Sequence, residues 1–374
     1  MSRWLKNVFF LCGKEFKSLF SDLTLLVLII YMFSIALISV ANLPTTEVKN
    51  ASVGIVDHDH SPLSYRLKDA LLNPYFKKVE YAAQEQIDDL MDNSDFTFIV
   101  DIPPNYQRDI LAGRNPKIQI LIDATAMTQA NIGASYITQI FTAELNRFLK
   151  VTNAAMPIES AVNVLYNPNY SSKWFMGAIQ PVGNLNLLTM LLVGAAIIRE
   201  RERGTIEHLL VMPVRSSEIA VAKVLANGLV LFVVAMLSLK FVVQGYLAIP
   251  ITDSAIGLFS LGVVIFIFSI ASLGILLAVF APSMPQFGLL CLPVYLVMYM
   301  LSGTMSPLEN MPQLAQYLTQ FSPTAILGSY AKDVLFRGAS LSMVWDDLVK
   351  MAALGALFLG IALMQFKTML SKQG

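Results

Sequence analysis

Between Leu23 and Leu43 the chain carries no Asp, Glu, Lys or Arg. A helix of about 20 such residues, rising 1.5 Å per residue, crosses the roughly 30 Å hydrocarbon core of a bilayer. In water the same stretch would expose a long apolar cylinder. The chain must therefore fold with lipid as part of its solvent. Further apolar runs lie at Gly177–Ile198, Ile219–Val243, Ile256–Phe280, Gln286–Leu301 and Val349–Phe366. The last two are short and call for tilt or a thinned bilayer. Charged residues make up 14% of the chain, against about a quarter in soluble domains. The expectation is a polytopic α-helical membrane protein with six transmembrane helices.

Residues 1–22 precede the first span. Leu5, Val8, Phe9, Cys12, Phe16, Leu19 and Phe20 fall on one helical face, and Arg3, Lys6, Lys14 and Lys17 on another, with Phe10 out of pattern. This spacing predicts an interfacial amphipathic helix lying on the membrane. A cleaved signal peptide competes, because Ser39-Val40-Ala41 imitates a cleavage site. The apolar run is longer than the 7–15 residues of a signal peptide, and so is its leader.

Residues 44–176 read differently. Charge returns, and Ser52–Val56, Phe96–Val100 and Ile118–Ile122 read as strands. Helical stretches are predicted at Leu63–Leu72, Gln84–Met91, Tyr106–Leu111 and about Met127–Lys150. Asn73-Pro74, Pro103-Pro104 and Asn115-Pro116 punctuate them. Strands alternating with helices predict an α/β domain inserted between the first and second spans.

Basic residues near span ends set orientation. Arg3, Lys6, Lys14 and Lys17 lead the first span, Arg199, Arg201, Arg203 and Arg215 follow the second, and Lys367 and Lys372 follow the last. The connection between the third and fourth spans has no Lys or Arg, and residues 302–348 have only Lys332 and Arg337. Both termini are thus expected in the cytoplasm, with the α/β domain outside. In a bacterium that means the inner membrane and the periplasm.

Chemistry of its own is scarce in this chain. It has no GxxxxGK[ST] phosphate loop, no GxSxG and no HExxH. Formal charge is zero, so no global field favours nucleic acid. Lys223, Lys240 and Lys350 sit near span ends, where they can snorkel. No carboxylate lies inside a span, as a proton-driven carrier would need, so energy is expected from another subunit. The two cysteines, Cys12 and Cys291, form no disulfide framework. Asp57-His58-Asp59-His60 has metal-ligand residue types. It also precedes Ser61-Pro62, which suits a helix cap with proline at the first position, so no metal site is expected. Asn184 and Asn186, near Pro181 in the second span, suit either a conduit lining or hydrogen bonding between helices.

The densest unusual segment runs from Arg199 to Val214, within 199–217. Arg199, Glu200, Arg201, Glu202 and Arg203 alternate in sign, Gly204 permits a break, and Pro213 ends the Leu209-Leu210-Val211-Met212 run. A stop signal of solvated ion pairs does not require the acids or the apolar run. A docking element uses both, the charges for register and the apolar side chains for a buried contact.

This segment resembles the signature of type-2 ABC transporter permeases. Glu200, Glu202, Gly204, Thr205, Glu207 and Pro213 match residue by residue, and Arg199, His208 and Met212 belong to the same stretch. Further matches are Ser283-Met284-Pro285-Gln286, then Leu301-Ser302-Gly303 with Pro307, Glu309, Met311 and Pro312. Residues 102–109 and 122–125 resemble the outer domain of the larger bacterial exporters of this type. The resemblance implies a coupling helix that seats in an ABC ATPase subunit. ATP and Mg would then be bound by that subunit and none by this chain. It also implies a second permease chain, identical or paralogous, and a periplasmic adaptor of the membrane-fusion type. Ser302, Gly303 and Glu309 would contribute to an outer gate. The expected function is the membrane subunit of an exporter for drug-like, lipid-like or other amphiphilic cargo, not an enzyme. A receptor that binds ligand with its outer domain is the alternative, although one or two spans would anchor it. A secondary transporter is a second rival.

Overall fold

The computed structural model describes residues 3–43, 51–72, 75–92, 95–122, 127–149, 171–202, 216–304, 308 and 311–371. Of the positions singled out above, Gly204, Thr205, Glu207, His208, Met212, Pro213 and Glu309 lie outside the described residues. The described residues divide into a helical unit, 3–43 with 173–371, and an α/β unit within 51–149.

In the helical unit, α1 (Arg3–Ser21) is followed by α2 (Leu23–Phe33) and α3 (Ile35–Ala41). Asp22 starts α2, its carboxylate accepting the Leu25 amide at 3.2 Å. The apolar face expected of α1 is divided. Val8 and Leu19 are buried, whereas Phe9, Phe10 and Phe20 are exposed. The buried side packs on a later span: Asn7 Nδ2 donates to Glu218, and Cys12 Sγ to the Ala222 carbonyl. So α1 is held by protein on one side and leaves these aromatics exposed on the other.

In the α/β unit, β1 (Ala51–Asp57), α4 (Pro62–Asp69), β2 (Phe76–Tyr81), α5 (Ile87–Asp92), β3 (Phe98–Ile102), α6 (Tyr106–Leu111), β4 (Gln119–Ile122) and α7 (Met127–Phe148) follow in order. The sheet order is β2-β1-β3-β4. β1 is parallel to β2 and β3, and β4 is antiparallel to β3. Parallel neighbours need crossovers, supplied by α4 and α5. Val53, Ile55, Phe98 and Val100 pack under α4, α6 and α7, while Val56 and Ile99 pack under α5. Burial on both faces explains the near-continuous apolar run of β1. β2 escaped the sequence reading because Phe76-Lys77-Lys78-Val79-Glu80-Tyr81 is an edge strand with charged outward positions, as edges usually are. β3 begins two residues later than expected, Phe96 being buried on the other face. Ser61 caps α4 through a reciprocal pair with Ser64, with Pro62 at the first position, as expected.

The helical unit continues with α8 (Ser172–Glu202), α9 (Ser216–Leu237) and its π-helical extension Ser238–Tyr246. Then come α10 (Asp253–Phe280), α11 (Met284–Met300), α12 (Gln313–Thr319), α13 (Pro323–Leu335) and α14 (Leu341–Ser371). Among the described residues five helices are long and apolar enough to cross a membrane: Leu23–Ala41, α8, Ser217–Tyr246, α10 and Leu341–Gln365. The sixth expected span, α11, has 17 residues. At 1.5 Å per residue it covers about 25 Å, short of a full hydrocarbon core. The last span is longer than read from sequence, because Trp345, Asp346 and Asp347 continue the helix back to Leu341. The chain is thus a helical membrane protein with about five candidate spans.

α8 is the central span, buried along most of its length from Gly177 to Ile198. Its neighbour α2–α3 is broken at Ser34 (φ −125°, ψ −85°). A break inside a bilayer frees carbonyls that water cannot serve. Asn184 Nδ2 donates to the Met32 carbonyl at 2.7 Å, and Ser238 Oγ donates to that of Phe33. Spans two and three thereby repair span one. Asn184→Leu is expected to lower stability by about 1–3 kcal/mol, the cost of a stranded buried carbonyl. Thermal unfolding in detergent would show this, and an unchanged midpoint would sink it.

Candidate functional site

The C-terminal end of α8 carries the first residues of the expected coupling segment. It meets α1 and α9 in a buried charge cluster. Lys223, on α9, is 1% exposed. Its ammonium donates to Glu15 Oε1 at 2.8 Å and to the Ala196 carbonyl at 3.2 Å, and lies 3.1 Å from Glu200 Oε2. Glu200 Oε1 also accepts from Lys14 Nζ at 2.8 Å. Arg199 lies 4.0 Å from the Asp22 carboxylate. The expectation that Lys223 snorkels is therefore wrong. Glu15 and Glu200 arrive from two other helices, and with two carboxylates and a carbonyl as partners the ammonium need not reach water. Lys240 and Lys350, by contrast, are exposed and pair locally with Asp253 and Asp346, each at 2.7 Å.

Glu202 does something the sequence did not announce. Its Oε1 accepts the Met284 amide at 2.8 Å. Met284 is the first residue of α11, and Ser283, at the cap position, makes no side-chain cap bond. The last turn of α8 therefore caps the start of α11, uniting two sequence matches that lie far apart in the chain. Helix N-termini favour a carboxylate, through free amides and dipole alike.

A second polar chain crosses the unit. Tyr299 OH donates to Gln180 Oε1 at 3.2 Å, Gln180 Nε2 donates to Asn184 Oδ1 at 3.1 Å, and Asn184 reaches the Met32 carbonyl. Three helices, α11, α8 and α2, share it. Beyond Tyr299 the chain turns sharply. Ser302 Oγ bonds the Tyr299 carbonyl and Thr304 Oγ1, both at 2.6 Å. Gly303 holds φ +72°, where a Cβ would meet Leu308 at 2.8 Å. The Gly303 carbonyl accepts from Lys332 Nζ at 3.2 Å. Ser302 and Gly303 are thus the turn that ends α11, linked to Asn184 through Tyr299 and Gln180. Asn186 is fully buried, and neither amide atom has a hydrogen-bond partner among the described residues. Gln180 had a visible signal, an amide inside a span beside Pro181. Glu15 and Tyr299 had none.

Asp57, His58, Asp59 and His60 are employed structurally. Asp57 Oδ1 accepts the Asp59 and His60 amides at 3.0 Å, and Oδ2 accepts Ser64 Oγ at 2.7 Å. Asp59 accepts the Gln107 amide at 3.0 Å, which joins this turn to α6. Among the described residues no group of three His, Cys, Asp or Glu side chains is placed to hold a metal ion.

The profile of the family described as ABC-2 family transporter protein matches residues 18–364. The chain belongs to this ABC-2 transporter family. It is similar to the inner membrane transport permease YhhJ of Escherichia coli (strain K12), 41% identical over 367 residues, covering 98% of both chains. It also resembles the probable multidrug ABC transporter permease YbhR of the same organism, 26% identical over 340 residues, covering 90% of this chain and 92% of the relative. ABC-2 membership makes the chain a membrane subunit of an ABC transporter, with an ABC ATPase as the implied partner. The charge cluster and the Glu202 cap thus lie in an ABC-2 permease at the base of the segment that carries the family signature.

Proposed function

We propose that this chain is the membrane-spanning subunit of an ABC exporter and converts nucleotide-driven motion of an ATPase into movement of its spans through residues 199–217. The observation that supports it most is the anchorage of that segment's root. Glu200 is tied to α1 and α9 through Lys14 and Lys223, and Glu202 to the start of α11. A push on the segment reaches three helices through charge-assisted bonds, which are short and strong. The Tyr299–Gln180–Asn184 chain continues from α11 to α8 and α2. Two arrangements of such a linked bundle, biased by nucleotide on a partner, make a transport cycle.

In this reading both termini and residues 199–217 are cytoplasmic, in the inner membrane of a bacterium. The α/β unit is periplasmic and passes cargo on, with a membrane-fusion adaptor where one is present. A second permease chain, identical or paralogous, completes the path, and Asn186, Ser302, Gly303 and Glu309 contribute to the conduit and its outer gate. ATP and Mg reside on the ATPase. The cargo is amphiphilic; two relatives bear multidrug names.

The test places a single cysteine by Thr205→Cys in a Cys12→Ser, Cys291→Ala background. It is expected to resist a membrane-impermeant maleimide in intact cells, to react after permeabilisation, and to crosslink to an ABC ATPase subunit through a short bifunctional maleimide. Labelling in intact cells, or failure to capture any ATPase, would overturn the proposal.

A further inference from the structure

A cavity of about 530 Å³ opens between α12, α13 and the last span α14. That volume suits a small organic ligand. Phe321, Ala325 and Ile326 form one wall; Leu354 and Leu357, on α14, form much of the other. Thr319, Gln320 and Ser329 add polar groups, and the one carboxylate of the lining, that of Asp347, stands beside the Lys350 ammonium.

The charges around it are arranged unequally. Lys350 Nζ bonds Asp346 at 2.7 Å but stands 4.0 Å from Asp347, too far for a hydrogen bond. The Asp346 side chain is 47% exposed and that of Asp347 20%. Lys350 also lines the cavity, but its short bond goes to the more exposed Asp346, and Asp347 keeps only the longer contact. Asp333, the next acid on α13, is already bonded to Arg337 at 2.6 Å. The Asp346–Asp347–Lys350 trio carries one net negative charge, and Asp347 is the acid whose Lys350 partner stands at 4.0 Å, beyond hydrogen-bond reach.

Asp347, Lys350, Leu354 and Leu357 share one face of α14, and ten residues separate Asp347 from Leu357, about 15 Å along the helix. Asp347 lies near the start of α14, and the carbon-lined end lies deeper along it. The cavity has a charged end and an apolar end. A neutral acyl chain would leave the carboxylate facing carbon, and an anion would meet a like charge. A cation with an apolar body satisfies both ends.

We infer that this cavity binds a single-tailed cationic amphiphile, an organic ammonium held by Asp347 with its chain against Phe321, Ile326, Leu354 and Leu357. The inference rests on the transport reading above, whose cargo class it narrows, yet binding here requires no ATPase. The experiment uses the full chain in phosphatidylcholine nanodiscs without ATPase or nucleotide, so that its failure is separable from a failure of coupling. The probe is dodecyltrimethylammonium bearing a diazirine in its chain, with photolabelled peptides mapped by mass spectrometry. Label is expected on peptides containing 319–329 and 353–357. Dodecyltrimethylammonium should compete it away, and dodecanol and dodecyl sulfate should not. Asp347→Asn should reduce it about tenfold, as expected when one partner of a desolvated ion pair is removed. Lys350→Gln, which keeps the Asp347 carboxylate and removes its neighbour, should label at least as strongly as the parent; it also stands in if Asp347→Asn does not fold. Equal competition by dodecanol would make the cavity an acyl-chain site and overturn the inference. So would undiminished labelling of folded Asp347→Asn, lost labelling of Lys350→Gln, or no label in these peptides.

Discussion

Lys223→Met is expected to be the most damaging single substitution in the helical unit, lowering stability by about 3–5 kcal/mol, as removal of one partner from a buried ion pair does. The ammonium is almost fully buried and serves Glu15, Glu200 and the Ala196 carbonyl together. Methionine fills similar space but removes the ammonium that stands 2.8 Å from Glu15 and 3.1 Å from Glu200. The sharper part of the expectation is rescue. Lys223→Met combined with Glu15→Gln and Glu200→Gln removes the uncompensated charge and should recover at least about half of the loss, since a neutral, packed replacement of a buried ionic cluster is often tolerated. Thermal unfolding in detergent, read beside the monodisperse fraction, compares the three proteins. A loss below about 1 kcal/mol, the range of exposed pairs, would mean that the cluster is solvated. Rescue of stability without rescue of transport would separate the structural work of the charges from their part in coupling.

Gly274→Leu is the second large effect. A Cβ at Gly274 would lie 2.7 Å from the Met190 carbonyl oxygen and 3.2 Å from the Met190 Cα, both backbone atoms of α8. Across the same contact, a Cβ at Gly194 would stand 3.0 Å from the Gly274 carbonyl. Small residues allow two membrane helices this close an approach. Side chains can move aside, but a backbone can yield only if the whole helix shifts, so the substitution should cost about 3 kcal/mol and drive α8 from α10. Gly257→Leu supplies the control, in the same helix with nothing within 4 Å of its would-be Cβ; it should stay within about 0.5 kcal/mol of the parent. Similar losses at both positions would show that glycine is retained in α10 for backbone reasons and not for packing. If residues 199–217 couple to an ATPase as proposed, a displaced but folded Gly274→Leu protein should transport poorly while still retaining its ATPase.

The site gains its meaning from how these elements converge. A glutamate that looked like part of a docking surface, Glu202, caps the helix that leads to the Ser302–Gly303 turn. An asparagine that suited a conduit, Asn184, repairs the break at Ser34. Neither role prevents a part in transport. Both mean that variants at these positions report on folding as well as on function.

Much was legible from local pattern. Runs of uncharged apolar residues marked the spans because lipid accepts no unpaired charge. The helix at Tyr106–Leu111 and the capped start of α4 at Ser61-Pro62 were readable from turn and cap chemistry, which involves neighbours in the chain. Family membership could be read from Glu200, Glu202, Gly204, Thr205, Glu207 and Pro213 and the later matches, since those residues are contiguous or regularly spaced. What sequence could not decide was every property set by partners distant in the chain. Lys223 looked like a snorkelling lysine, because nothing within a turn of it reveals Glu15 or Glu200. β2 hid behind its lysines, because only the neighbouring strand shows that Phe76-Lys77-Lys78 is an edge. α11 read as a short span from hydropathy, yet its cap from Glu202 depends on where the end of α8 lies. Asp347 fell outside the last span as read from Val349; only the packing of α12 and α13 against α14 makes it the one carboxylate in the lining of a cavity. Periodicity and composition act through adjacent residues and solvent, and so determine elements. Counter-ions, caps and cavities come from residues tens to hundreds of positions apart, and tertiary structure alone brings them together.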